Sequence, residues 1–210
     1  TLYPNGRLPG AVECFDLAAH RQALRLIRDA GFDGCEFSHY QHFGAADQEK
    51  LREMCACLGL MPWSAHAWEP LPAQPEPVPE VLPRLAACLE GAARLGVRVM
   101  VLHAAGCPAA GYARRAEALA ATLSSLAPQA AAAGITLAVE NCSTREDLEF
   151  LVSTVDRLGL PAVGFNIDTG HAALRGMRPD DAIRLMGSRL VTTHLQDNFG
   201  SRDDHLPPGK

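Results

Sequence analysis

Asp168 and His171 stand three residues apart in FNIDTGHAAL, residues 165–174, directly after an apolar run that reads as a strand. Two more runs end the same way. LAVEN, residues 137–141, delivers Glu140, and VTTHLQD, residues 191–197, delivers His194. An unpaired carboxylate at the end of a buried strand is costly, and a divalent cation removes that cost. Glu140, Asp168 and His194 together form a mixed oxygen and nitrogen donor set suited to Mn2+, Mg2+, Co2+ or Zn2+. Each residue has a plainer use. Glu140 could cap the following helix, Asp168 could accept backbone hydrogen bonds in the DTGH turn, and a single strand-end His is often only hydrogen-bonded. It is the conjunction at three successive strand ends that argues for a metal site.

Other polar residues fall in equivalent places. Of the eight His, His39, His66, His103, His171, His194 and His205 lie at or just past strand ends. Glu36, Asp197, Asp203 and Asp204 join them, and Asp203 and His205 have a D-x-H spacing. Trp63 and Trp68 flank His66. Trp63 is expected in the core, and Trp68, past the strand end, is the better wall for a sugar pocket. Arg175, Arg178 and Arg202 either recognise a carboxylate or phosphate or are solvated surface residues.

These side chains need a scaffold that brings strand ends together. Strand patterns cover 34–38, 60–66, 97–103, 135–141, 162–168 and 190–196, mostly as the continuous apolar runs of strands buried on both faces. Helical patterns lie between them, at 16–30, 46–58, 80–95, 112–133, 145–158 and 179–187. Gly31, Gly59, Gly96, Gly134 and Gly159 each punctuate a helix-to-strand junction. Ser143 to Glu146 reads as a capping box, and Pro179 sits near a helix start. The proline-dense EPLPAQPEPVPE, residues 69–80, reads as a long loop after the third strand, and TLYPNGR at the start reads as the tail of a first strand or the loop after it.

Strands alternating with helices give a parallel α/β fold, either a doubly wound sheet or a (β/α)8 TIM barrel. Neither GxGxxG after an early strand nor a phosphate-binding GxxxxGK[ST] occurs. Polar groups at nearly every strand end suit a barrel, which gathers its site from many strands at one rim. Such barrels need about 250 residues, so residues 1–210 read as a single barrel domain. It is expected to be incomplete at the eighth strand and possibly at the N-terminus, with strand edges that a longer chain or a homo-oligomer would cover.

Composition narrows the chemistry. The net charge is −5 and hydrophobic residues make up 48% of the chain, which supports a full core and speaks against a nucleic-acid partner. Lys occurs only at positions 50 and 210, so a buried Schiff-base lysine is not expected. Seven Cys at scattered spacings, with no secretory or membrane-spanning run, point to reduced thiols in a cytoplasmic protein.

AVEN, NIDTGHA, THLQD and DDHLPPGK resemble the xylose isomerase-like TIM barrel superfamily of sugar phosphate isomerases and epimerases, which shares its fold with apurinic endonucleases. The resemblance runs from about residue 30 to the end. It implies that Glu140, Asp168 and His194 bind a divalent metal, with a fourth ligand, a Glu, expected beyond residue 210. It also implies that Glu140 is catalytic, and that His66, His103 and His171 line the substrate pocket, where we add Trp68, Asp203 and His205. The implied activity is isomerisation or epimerisation of a small sugar, sugar phosphate or hydroxy-ketone by proton transfer through a metal-bound enediolate. The alternatives are a zinc-dependent apurinic-site endonuclease, a metal-dependent lyase or dehydratase, and a non-catalytic sugar-binding barrel.

Overall fold

The structure, a computed structural model, describes residues 16–104, 111–141, 144–174 and 176–209. Six strands, β1 (Gly34–Ser38), β2 (Met61–His66), β3 (Val99–His103), β4 (Thr136–Glu140), β5 (Val163–Asp168) and β6 (Leu190–His194), form one parallel sheet in chain order. The helices that return the chain are α1 (Leu17–Asp29), α2 (Ala45–Leu58), α3 (Val78–Leu95), α4 (Tyr112–Ala132), α5 (Arg145–Leu158), the short α6 (Thr169–Ala173) and α7 (Pro179–Met186). This is the βα alternation expected of a barrel, and among the described residues β1 and β6 are the two outer strands of the sheet. The TLYPNGR expectation, Cys14, Cys107, Cys142 and Arg175 lie outside the described residues.

Side-chain alternation sorts the strands into two layers. One face meets the helices, where Phe37, Met100, Leu102, Leu137, Val139, Phe165 and Ile167 pack with Leu51, Leu85, Leu119, Leu148 and Leu151 in the main core. The other face lines the barrel interior. Its lower part is a small apolar floor of Val99, Val101 and Ala138, with Val191 against it. Its upper part is polar.

Two bulges modify this alternation. The β1–β2 register runs Cys35↔Pro62 then Glu36↔Ser64, leaving Trp63 as the extra residue. The β5–β6 register runs Phe165↔Leu190 then Asn166↔Thr192, leaving Val191 extra. A bulge bends its strand and re-aims a side chain, and this corrects the expectation that Trp63 is core. Trp63 is 39% exposed, and its indole N–H donates to Thr192 Oγ1 at 3.1 Å, from β2 to β6.

The ends of helices follow their local sequence with small shifts. All five junction glycines have positive φ, from 61° at Gly159 to 86° at Gly31. The cap of α5 is Thr144, whose hydroxyl accepts from the Asp147 N–H at 3.2 Å; Ser143, where the capping box was expected to open, lies outside the described residues. The proline-rich loop follows β2, the second described strand. It ends at Pro77, earlier than expected, because Pro79 sits in the first turn of α3, where a missing N–H breaks no helical bond. Leu71 within that loop is tied to β3 by its N–H, which donates to the His103 carbonyl at 2.8 Å.

Arg115 on α4 is buried to 1% exposure, paired with Asp147 on α5 and set 5.2 Å from the centroid of the Phe150 ring. The pair ties the first turns of two neighbouring helices together beneath the rim. No helix among the described residues is long and apolar enough to cross a membrane.

Candidate metal centre

Parallel pairing sets the rim residues side by side. His103 is registered with Glu140, Glu140 with Asn166, and Asp168 with His194. Four histidines surround Glu140, which is 2% exposed. Its Oε1 lies 3.2 Å from His103 Nε2 and 3.1 Å from His171 Nδ1. Its Oε2 lies 3.5 Å from His66 Nε2 and 3.0 Å from His194 Nδ1, and accepts from Asn166 Nδ2 at 2.8 Å.

Asp168 occupies the neighbouring corner. Its Oδ1 accepts from the His171 N–H at 2.9 Å, capping α6. This is the plain turn role weighed for it, and it coexists with the other contacts. Gln196 Nε2 donates to both Asp168 oxygens, and Asp168 Oδ2 lies 4.0 Å from His194 Nδ1. Asn141 holds the backbone here, accepting from the Asp168 N–H and donating to the Asp168 carbonyl.

The electrostatics follow from this crowding. Burial pushes the Glu140 carboxyl up, but the four imidazoles outweigh it and hold the group well below the usual range. Burial lowers the histidines, yet Glu140 and its neighbouring carboxylates raise His171 to about 9 and His194 to about 10. For Glu36, burial is again overcome, here first by the hydrogen bond and charge of His194, and the carboxyl falls to about 2.

Two groups of donor atoms meet within 4.8 Å of one another: Glu140, Asp168 and His194, and His66, His103 and Glu140. The donor set fits a divalent metal. Glu140 Oε1 is buried and receives no aligned hydrogen bond, although two imidazole nitrogens stand within 3.2 Å. Atoms that converge without pairing well are arranged as ligands around a shared centre are.

The loop after β6 folds back as a small hairpin through paired backbone bonds between Asp197 and Leu206. It sets Asp203 Oδ2 at 3.4 Å from His171 Nε2 and 2.7 Å from His205 Nε2. Asp203 and His205 therefore adjoin the cluster through His171. Among the described residues, the ring contacts of Trp68 are not with the cluster. Trp68 stands edge-on to His39 and His42, at 4.7 and 5.2 Å between ring centroids. Arg178 and Arg202 are engaged by Asp180 and Asp204 on the surface.

Four side chains in this network carry no role in the sequence reading. They are Asn141, Asn166, Gln196 and Ser64, whose hydroxyl donates to Glu36 at 2.7 Å. Asn166 and Ser64 had a visible signal, a polar residue inside an otherwise apolar strand run.

A family described as the xylose isomerase-like TIM barrel matches residues 24–210. The chain belongs to this family. Among solved structures, a D-tagatose 3-epimerase-like protein superposes on this xylose isomerase-like barrel with a TM-score of 0.78 at 22% identity, over 93% of this chain and 78% of that one. IOLI protein with a bound zinc atom gives 0.74 at 17% identity, over 93% and 75%. An AP endonuclease, family 2, from Brucella melitensis gives 0.70 at 20% identity, over 84% and 73%. An uncharacterized protein, y4fM, of Sinorhizobium fredii (strain NBRC 101917 / NGR234) is 44% identical over 46 residues, which span 22% of this chain and 15% of that relative.

Proposed function

We propose that this xylose isomerase-like barrel is a divalent-metal-dependent isomerase or epimerase of a small sugar, sugar phosphate or hydroxy-ketone, acting in the cytoplasm. The observation that carries this reading is the convergence of Glu140, Asp168 and His194 beside three more imidazoles. Glu140, Asp168 and His194 would hold the cation, which when bound would supply Lewis acidity at a substrate carbonyl. Glu140 is held ionised, the state that both a ligand and a proton acceptor require. His66, His103 and His171 present ring nitrogens to substrate hydroxyls. Asp203 and His205 cover the substrate from the hairpin, and Trp68 offers an apolar wall at the rim. The floor of Val99, Val101 and Ala138 keeps water from beneath the carboxylate.

A second reading is a multi-metal phosphodiester hydrolase of the abasic-site endonuclease kind. It is favoured by the second donor group, His66, His103 and Glu140, which shares Glu140 with the first. The net charge of −5 opposes it. Elemental analysis of the purified chain separates the two. One divalent ion per chain, with deuterium from D2O entering a ketose at carbon, supports the isomerase. Two or more zinc ions per chain, with cleavage of abasic DNA and no exchange, overturns it in favour of the hydrolase.

A further inference from the structure

Glu36 lies outside both donor groups. It sits on β1, and its carboxylate reaches a residue of β6, where Oε2 lies 3.0 Å from His194 Nε2. The two residues are 158 positions apart, and β1 and β6 are not paired in the sheet. Glu36 is 8% exposed, and the same Oε2 accepts from Ser64 Oγ at 2.7 Å. The other ring nitrogen of His194, Nδ1, faces Glu140 at 3.0 Å and Asp168 at 4.0 Å.

An imidazole that donates one N–H to a carboxylate has its tautomer and ring plane set by that bond, and its opposite nitrogen becomes a stronger donor to a metal. A cation held by Glu140 and Asp168 would need the lone pair of neutral His194 on Nδ1, which faces both of them, and that leaves the ring proton on Nε2 toward Glu36. We propose that Glu36 is a positioning residue of this centre, with Ser64 as its support, holding His194 so that Nδ1 is the metal-ligating atom. This rests on the metal reading of Glu140, Asp168 and His194. It adds a residue from β1, which is not paired with β6 in the described sheet, so the centre is complete only when the sheet is curled far enough for side chains of β1 and β6 to meet.

The test uses Co2+ as the probe, with wild type, Glu36→Gln, Glu36→Ala and Ser64→Ala, each checked by circular dichroism and thermal melting. Glu36→Gln keeps an acceptor but not the charge. It is expected to retain the metal stoichiometry, to weaken Co2+ binding about 10- to 100-fold, and to shift the visible Co2+ spectrum. Glu36→Ala loses more and Ser64→Ala less. If Glu36→Ala does not fold, Glu36→Gln decides. A folded Glu36 variant with wild-type Co2+ affinity and spectrum overturns the proposal. Nitrogen-15 NMR of the metal-free chain is read alongside. A downfield His194 Nε2–H that persists in wild type and vanishes in Glu36→Ala supports the contact, and no such proton in wild type overturns it. Wild type that takes up no Co2+ but shows this Nε2–H removes the metal reading while leaving the Glu36 contact standing.

Discussion

Gln196 Nε2 donates to both carboxylate oxygens of Asp168, at 3.0 and 3.2 Å, and reaches Asp203 Oδ1 at 2.6 Å. It can do so because residue 170 has no side chain. A Cβ on Gly170 would collide with the Gln196 amide. The glycine of the DTGH turn therefore makes room for the group that orients the neighbouring aspartate.

Gly170→Ala displaces a flexible side-chain end and should leave the fold intact. We expect it to weaken metal binding about tenfold, as lost support for a ligand does, and Gln196→Ala to do the same. Competition titration against a chromophoric chelator measures both. Equal effects of the single variants and no further loss in the double variant identify one shared contact.

Glu140→Gln keeps the shape of the side chain and removes the anion that four histidines share. Metal uptake should be lost, and His171 and His194 should titrate at lower pH than in the metal-free wild type, where Glu140 is the leading influence raising both. A histidine NMR titration reads this directly. Unmoved titrations would mean that other carboxylates carry the effect.

The metal-free chain should be most stable between about pH 4.5 and 6.5. His171 and His194 are raised from 6.5 to about 9 and 10, so their contribution is complete below 6.5 and disappears as pH rises through 9 to 10. Glu36 is lowered from 4.5 to about 2, so its contribution is present above 4.5 and disappears as pH falls through 2. Urea midpoints across pH test this window. Adding a divalent cation should reverse the alkaline slope, because the ligand histidine must be neutral to bind.

Asp147→Ala leaves the buried Arg115 guanidinium without its counter-charge and should cost about 3–5 kcal/mol. A paired Arg115→Met, Asp147→Leu replacement removes both charges and should recover most of that loss. Denaturant unfolding of the three chains checks it.

The parts of this architecture that follow local rules were legible. Strand runs, helix periods and junction glycines are set by near neighbours, and the observed elements lie within a few residues of expectation. The convergence of Glu140, Asp168 and His194 was expected for a related reason, since a charge at the end of an apolar strand is conspicuous without any partner. Glu36 was visible as a rim acid but not as the partner of His194, because that contact depends on the curl of the whole sheet. Trp63 was misplaced because a bulge leaves no mark in an alternating pattern. Trp68 lies just past the end of β2, and its ring neighbours, His39 and His42, come from the loop after β1.

The bulges at Trp63 and Val191 also bear on how this barrel can be re-engineered. Between matched ladder positions, β2 and β6 each hold one residue more than the strand beside them. A designer who transplants a rim sequence by counting up from the base of either strand will arrive one position out of phase. In a pleated strand that single step turns His66 or His194 toward the helices. Grafts onto this scaffold must be counted downward from the mouth.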